Sequence, residues 1–204
     1  MTRIIGGSAG GRRLQTPPGD ATRPTTDRVR EALFSSIEAW CGSTGGLGGI
    51  RFLDLYAGSG AIGLEALSRG AETATLVESD RRTAALIGTN ARTLGLAADV
   101  RAASVRTTLG APPELPYDVV FSDPPYPLSE EALAEDLAQL QGWLAPDALV
   151  VVERSRRSPE PSWPPLIEGR RAKRYGETTL WYGRADLPDE ATTSDAGPTS
   201  PQET

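Results

Sequence analysis

Short apolar runs alternate with longer segments of helical periodicity between residues 51 and 153. A short apolar run bounded by turn residues predicts a buried strand, and apolar positions three and four apart predict a helix. This alternation predicts a mainly parallel sheet with helices on both faces, whose ligands bind beyond the carboxyl ends of the strands. The predicted strands are Phe52–Leu55, Thr73–Glu78, Asp99–Ala103, Tyr117–Ser122 and Ala148–Val152, and the predicted helices run from the glycines to Arg69, over 80–94 and over 129–143.

The N-terminal part of the chain predicts a small appendage and one helix. Residues 3–16 have the pattern of two short strands around a Gly/Ser turn. The following segment places apolar side chains at helical spacing, and either threonine of the pair 25–26 can cap that helix. Arg23, Arg28 and Arg30 lie at the helix start, where chain order brings them toward the ligand-binding edge.

Residues 168–182 predict a hairpin that turns at Gly176, with a basic first strand and an apolar-aromatic second strand. An antiparallel pair of this kind would close an otherwise parallel sheet. Its charged residues fit a solubilising sheet edge as well as a nucleic-acid contact, and the sequence leaves both open. Beyond Ala185 the chain has too few apolar residues to fold.

The first predicted strand leads into a G-x-G-x-x-G turn made by Gly58, Gly60 and Gly63. Glycines let a backbone approach a ligand closely and adopt positive φ, and they leave main-chain N–H groups directed at whatever lies over the helix N-terminus. Such a turn predicts a site for a nucleotide-like cofactor, although glycine turns after strands also serve packing alone.

Two carboxylates narrow the choice of cofactor. Glu78 ends the second strand, close to the distance from the glycines at which a ribose-binding carboxylate is expected. Asp54 lies inside the first strand, where it can accept from the amino group of an amino-acid cofactor and would repel a pyrophosphate. We therefore expect S-adenosyl-L-methionine (SAM), with Asp54 near its methionine end and Glu78 on its ribose.

The motif Asp123-Pro124-Pro125-Tyr126 follows the fourth predicted strand and so lies at the same edge of the sheet. Two consecutive prolines end a strand and fix its backbone. If Asp123 and the Pro124 carbonyl accept both N–H groups of an exocyclic amine, the nitrogen lone pair faces an electrophile and Tyr126 stacks on the base. The motif therefore predicts amine methylation, with an ordinary turn as the alternative.

Composition excludes several kinds of site. The chain has one cysteine, Cys41, and no histidine. A disulfide framework, a Cys/His zinc site and a Ser-His or Cys-His nucleophile are therefore excluded, and no metal is expected. Because the sequence shows neither a hydrophobic signal core nor an apolar run long enough to cross a membrane, a cytoplasmic protein is expected.

Charge is distributed unevenly along the chain. Residues 51–150 carry 7 basic and 14 acidic side chains, whereas residues 151–184 carry 8 basic and 4 acidic ones. Residues 1–50 are also basic, with 6 arginines against 4 acids. A polyanion could therefore dock on the flanking segments although the net charge is −6.

With these motifs in place, residues 3–184 resemble the RsmD-type 16S ribosomal RNA guanine-N2 methyltransferases. The resemblance rests on Arg3 to Gly7 with Gly11-Arg12, on the stretch from Arg23 to Glu31, on Asp54 to Gly63 and on Asp123 to Tyr126. The last two motifs occur in many amino-methylating enzymes. The stretch Arg-Pro-Thr-Thr-Asp-Arg-Val-Arg-Glu makes the resemblance specific.

The resemblance implies an α/β class I SAM-dependent methyltransferase fold, Rossmann-like, with a seven-stranded mixed sheet whose last hairpin is antiparallel. It divides the chain into an N-terminal hairpin extension (1–22), a methyltransferase domain (23–184) and a disordered acidic tail (185–204). The implied cofactor-binding residues are Asp54, Tyr56, Ala57, Gly58, Gly60, Gly63, Glu78, Ser104 and Val105; the catalytic residues are Asp123, Pro124, Pro125 and Tyr126; and the RNA-binding residues are Arg12, Arg23, Thr25, Arg28 and Arg30.

The implied substrate is the N2 amine of a guanine in 16S rRNA, within the 30S subunit or an assembly intermediate. A monomer without membrane contact is expected. Ser104 stands where related enzymes often have Asp or Asn to accept from the adenine amine, so the Val105 backbone is expected to share that role. The alternatives are an amino-methyltransferase acting on DNA adenine N6 or a protein glutamine, and a non-catalytic RNA-binding assembly factor.

Overall fold

The alternation of strands and helices predicted from the sequence is present in the computed structural model, which describes residues 2–17, 26–42, 45–125 and 127–186. These residues form β1 (Arg51–Leu55), β2 (Thr73–Glu78), β3 (Asp99–Ala102), β4 (Tyr117–Ser122), β5 (Leu144–Ser155), β6 (Ile167–Tyr175) and β7 (Thr178–Ala185). The helices are α1 (Asp27–Trp40), α2 (Ala61–Ser68), α3 (Arg81–Leu94), α4 (Val105–Leu109) and α5 (Glu130–Ala138).

One seven-stranded sheet has the order β3-β2-β1-β4-β5-β7-β6. The first five strands in this order, from β3 to β5, are parallel to their neighbours. Strand β7 is antiparallel to both β5 and β6. The mixed sheet and its antiparallel hairpin are therefore confirmed. The strand order reverses between β1 and β4, and a reversal of this kind opens a crevice at the carboxyl ends of the strands.

Helices cover both faces of the sheet. On one face α1, α2 and α3 pack on the sheet with the N-terminal segment, whose Ile4 and Leu14 belong to the same apolar cluster. On the other face α4 and α5 pack around the fully buried Trp143. Because crossover helices shield both faces, the three central residues of β4, 119–121, can all be apolar. No helix in the described ranges is long and apolar enough to cross a membrane.

The N-terminal segment differs from the two strands predicted for residues 3–16. Its two arms meet in one antiparallel bridge, Arg3 with Arg13, and are joined by hydrogen bonds from the Ile4 amide to the Arg12 carbonyl and from the Leu14 amide to the Thr2 carbonyl, both at 2.9 Å. The amides of Ile5 and Gly6 instead donate to the buried Glu65 carboxylate, at 2.6 and 2.8 Å. These two bonds, together with the Ser8 amide, which donates to the Ser68 carbonyl at 2.7 Å, hold the segment against the end of α2.

Elements β5, α5 and α4 also differ from the prediction. Strand β5 extends beyond Ala148–Val152 at both ends, and α5 ends at Ala138 rather than near residue 143. Helix α4 was not predicted, and it begins where the Ser104 hydroxyl accepts from the Thr107 amide at 3.1 Å. A side-chain cap of this kind satisfies an amide that a short helix would leave without a partner.

The third glycine of the motif packs directly against the sheet. A Cβ atom at Gly63 would lie 2.6 Å from Leu76 Cγ, in the core. We expect Gly63→Ala to destabilise the protein by about 1–3 kcal/mol through overpacking, which lowers Tm by roughly 2–4 °C for each kcal/mol in a chain of this size. Thermal unfolding followed by circular dichroism measures the change.

Gly88→Ala is the matched control, because Gly88 lies inside α3 and its added Cβ would come no closer than 3.5 Å to another residue. It should raise stability by about 0.5–1 kcal/mol, as expected for alanine replacing glycine in a helix. Equal Tm changes in the two variants would contradict the close packing of Gly63 on β2.

Candidate functional site

A cleft of about 310 Å³ opens over the carboxyl ends of β1, β2 and β3. Its size falls within the range of about 300–1,000 Å³ that is typical of small-molecule sites. The cleft is lined by the residue after β1, the end of β2, the start of α4 and one side of α5. The lining includes the predicted residues Tyr56, Glu78, Ser104 and Val105, together with Arg106 and Asp136.

The glycine turn lies beside this cleft and is internally hydrogen-bonded. Gly58 and Gly60 have φ of 54° and 82°, a backbone conformation that favours glycine. The Gly58 amide donates to Glu78 at 3.0 Å, the Gly60 amide to the Ala57 carbonyl at 2.8 Å, and the Gly63 amide to Asp54 at 2.9 Å. These three amides are therefore not directed at a ligand, contrary to the expectation from the motif.

Asp54 is almost fully buried at the end of β1 and accepts from the third residue of α2. This contact serves as a helix cap, since Gly60 at the N-cap position has no side chain to supply one. Burial raises the pKa of Asp54 from 3.8 to about 7; the Glu78 charge adds to this rise and the Gly63 amide opposes it. Its contact with a cofactor amino group stays a prediction.

Glu78 connects the glycine turn to the second strand. One oxygen accepts from the Gly58 amide, and the other accepts from the Asp80 amide at 2.8 Å. An ionised carboxylate has about four acceptor positions. Glu78, which also lines the cleft, therefore keeps acceptor positions that ribose hydroxyls could use, and its contact with the ribose stays a prediction.

Tyr56 follows β1 with a φ of 64°, which is uncommon for a residue with a side chain. Its hydroxyl donates to the buried carboxylate of Asp136 on α5. Burial and this carboxylate both raise the pKa of Tyr56, so the phenol stays neutral and remains a donor. The sequence prediction did not include Asp136, although an acid between Leu133 and Leu137 on the buried side of α5 was a usable signal.

Ser104 and Val105 lie on the far wall of the cleft, at the start of α4. The Ser104 hydroxyl is hydrogen-bonded to the Thr107 amide and lies 2.8 Å from the Thr107 hydroxyl. Val105 is buried. The two residues are therefore placed where an aromatic base could contact them, and their role in adenine recognition stays a prediction.

The proline motif directly follows β4 and is held in place from two sides. The Leu128 amide donates to the Pro125 carbonyl at 2.9 Å, which closes a turn. Arg154, from the end of β5, forms an ion pair with Glu130 and lies 3.5 Å from the Leu128 carbonyl. Tyr126, predicted to stack on the base, lies outside the described residues.

Asp123 is half-buried at the carboxyl edge, in the surroundings of two other acids. Its pKa is raised well above the ordinary value, first by burial and then by the charges of Glu153 and Asp54, while Arg154 opposes the rise. The parallel pairing of Leu55 with Ser122 places the glycine turn and the proline motif at one edge of the sheet. Within the part of the chain that the structure describes, no group of three or more Cys, Asp or Glu residues could hold a metal ion.

Glu153 and Arg154 were also absent from the prediction. Glu153 is buried at the carboxyl end of β5, next to the apolar residues 148–152. Charged residues directly after an apolar run in a parallel sheet indicate the ligand-binding edge. The same pattern led to the prediction of Asp54 and Asp123.

Two of the predicted RNA-binding arginines lie elsewhere than expected. Arg12 donates to the carbonyls of Thr93 and Leu94 at the end of α3, which is the amino edge of the sheet. Arg30 is buried and paired with Asp27 at 2.7 Å, so its guanidinium is not on the surface. Arg28 is exposed in the first turn of α1. Arg23 and Thr25 lie outside the described residues.

A protein-family model described as "Conserved hypothetical protein 95", the model of the RsmD family, matches residues 2–184. The chain belongs to the RsmD family. Among relatives of this RsmD-family protein, Ribosomal RNA small subunit methyltransferase D of Escherichia coli strain K12 is 40% identical, over 86% of this chain and 85% of its own. The protein of the same name from Haemophilus influenzae is 37% identical, over 77% and 80%.

The solved structure of yhhF from Escherichia coli superposes on this RsmD-family protein with a TM-score of 0.79 and 35% identity. The match covers 92% of this chain and 99% of that one. Together with the strand order, it confirms the class I methyltransferase fold that the sequence predicted.

The raised pKa of Asp54 makes stability depend on pH. Folded protein keeps a proton on Asp54 up to about pH 7, whereas the unfolded chain loses it near pH 3.8. The resulting stabilisation is complete below the unfolded pKa and is lost as pH rises through 7. Between pH 5 and pH 8 we expect the free energy of unfolding of the wild type to fall by about 3 kcal/mol relative to that of Asp54→Asn. The asparagine keeps an acceptor for the Gly63 amide but does not titrate.

Thermal unfolding of both proteins at pH 5, 6, 7 and 8 without cofactor measures this difference. Carboxyls that do not interact with Asp54 titrate alike in both proteins and cancel when the two curves are subtracted. Asp123 does not cancel, because the Asp54 charge that raises its pKa is absent from Asp54→Asn, so the subtracted curve reports the two carboxyls together. Parallel curves would show that Asp54 does not bind a proton in this range.

Proposed function

We propose that this protein transfers a methyl group from SAM to the N2 amine of a guanine in 16S rRNA, in the small ribosomal subunit or an assembly intermediate. The observation that carries the proposal is the position of Asp123, which directly follows β4 at the carboxyl edge of the sheet, beside β1 and the glycine turn that follows it. The names of the relatives, small subunit rRNA methyltransferases, supply the substrate class.

The residues around the cleft fit SAM better than a dinucleotide. Amides of the glycine turn, which would hold a pyrophosphate, already donate within the protein. The site instead contains carboxyl groups: Glu78 lines the cleft, and Asp54 is buried beneath the glycine turn. Their negative charge favours a ligand that carries an ammonium and a sulfonium group.

When bound, SAM supplies an activated methyl group that an amine nitrogen can attack. Asp123 and the Pro124 carbonyl would accept the two N–H bonds of the guanine amine, which leaves the lone pair free to form the new N–C bond as the C–S bond breaks. Asp123 can then take the proton that the nitrogen loses. Acceptance requires the ionised carboxylate, so activity should fall as pH drops through the pKa of Asp123.

Asp123→Ala should lower kcat at least about 100-fold, because it removes both the acceptor and the proton-binding group. Affinity for SAM should change only a few-fold. Asp118→Asn is the matched control, since Asp118 lies at the other end of β4 and accepts from the Arg51 amide at 2.8 Å, a bond that asparagine preserves. Transfer from labelled SAM to purified 30S subunits measures kcat, and calorimetry measures SAM binding.

A similar loss of activity in both variants would indicate a folding defect rather than a missing catalytic group. Nucleoside analysis of 16S rRNA from a deletion strain tests the substrate, because unchanged N2-methylguanosine would rule out the proposed target. If Asp123→Ala protein restored the biological role of the gene, a non-catalytic assembly factor would be the better description.

A further inference from the structure

We propose that Arg156, Arg157 and Arg174 form a phosphate-docking surface that holds the RNA strand beside the target guanine. This inference rests on the proposed function and extends it, since it names the side of the molecule on which the RNA lies. It also resolves the alternative left open for the C-terminal hairpin, in favour of nucleic-acid contact at one end of it.

The three arginines come together at the carboxyl edge of the sheet. Strand β6 is antiparallel to β7, which is antiparallel to β5, so β6 ends at the same edge as β5. Arg174 pairs in register with Thr179, and the adjacent Thr178 pairs with Ser155 at the end of β5. The turn after β5 is joined to this hairpin by the Arg156 amide, which donates to the Glu177 carbonyl at 2.7 Å.

Ion pairing distinguishes these arginines from Arg170 and Arg184 on the same hairpin, whereas Arg171, which also has no ion pair, lies over the Tyr182 ring at 4.7 Å. Arg170, near the amino end of β6, pairs with Glu168 at 2.7 Å, and Arg184 pairs with Asp147 at 2.7 Å. Arg156, Arg157 and Arg174 are exposed, and no carboxylate of the described residues forms an ion pair with them.

An exposed guanidinium without a carboxylate partner can bind a phosphate without breaking an existing pair. The hairpin turn itself contains one acid, Glu177, against the three arginines of the surface. The local charge is therefore positive, although the chain as a whole carries −6.

The position of the surface relative to Asp123 suits a flipped base. Arg174 lies three strands from β4 in the sheet order, which is about 14 Å at roughly 4.8 Å per strand. That distance corresponds to about four base steps at 3.4 Å per step. Enzymes that modify a base take it out of the stack, and contacts to the neighbouring phosphates can fix the strand while the base enters the site.

The two halves of the edge then have separate roles. The cleft lies over β1, β2 and β3, on one side of Asp123, and the arginines lie beyond β5, on the other. The cofactor and the RNA can therefore approach Asp123 from opposite sides without competing for space.

The test compares a triple variant, Arg156→Ala with Arg157→Ala and Arg174→Ala, against a control triple, Arg92→Ala with Arg170→Ala and Arg184→Ala. The control arginines are exposed and lie toward the amino edge. Both triples change the net charge equally. Binding of in-vitro-transcribed 16S rRNA is measured by filter retention between 50 and 200 mM KCl, and KM and kcat are measured on 30S subunits.

In the first triple we expect the slope of log K against log salt to become less steep by about 2–3, because each lost phosphate contact removes roughly 0.7–0.9. KM for 30S subunits should rise at least tenfold, with kcat and SAM affinity little changed. The control triple should keep the wild-type slope within about one. Equal slopes in both triples would overturn the docking surface.

The surface and the proposed function can fail separately. If wild-type protein binds the RNA with the expected difference between triples but methylates no rRNA, the surface stands and the substrate assignment fails. If the wild type methylates 30S subunits and the first triple keeps wild-type KM and slope, the function stands and the RNA is held elsewhere.

Discussion

The geometry of the cofactor end depends on one buried hydrogen bond, in which the Gly63 amide donates to the Asp54 carboxylate. Gly60 begins α2 without a side chain, so the helix needs an acceptor from outside itself. Asp54 supplies it from β1 and thereby fixes the angle between strand, turn and helix. Larger side chains cannot replace Gly63, because the helix approaches Leu76 too closely. The cap and the close packing therefore support each other.

The same hydrogen bond holds the Asp54 carboxyl group in the interior, where an isolated charge is unfavourable. Asp54 and Glu153 are buried, Asp123 is half-buried, and their charges together raise the pKa of Asp123. In the free protein, protonation of these carboxyl groups reduces the repulsion between their charges. A bound cation would favour the loss of these protons. Such a site is less stable when fully ionised than an apolar one would be. A cationic ligand such as SAM, which the proposed function requires, would stabilise the ionised carboxylates.

The sequence predicted the parts of the fold that local signals determine. Strands β2 and β4 have the predicted limits, because each is a short, mostly apolar run between turn residues. The N-terminal segment differs because Glu65, some sixty residues away, accepts its amides. The burial of Arg30 likewise depends on packing that spacing along the chain does not reveal. Asp54, Glu78 and Asp123 were found because parallel strands bring their carboxyl ends together.

Charge separation along the sheet edge links these observations to an RNA substrate. Acidic groups gather at the ends of β1, β2, β4 and β5, where a cation is required, and the three arginines of the docking surface lie after β5 and at the end of β6, where a polyanion would bind. If the arginines lay next to Asp123, they would lower its pKa and attract phosphate into the site of the base. If the acids extended to β6, they would repel the RNA strand. A negative protein can therefore bind RNA, because the strands between β4 and β6 place Arg174 about 14 Å from β4 along the sheet edge.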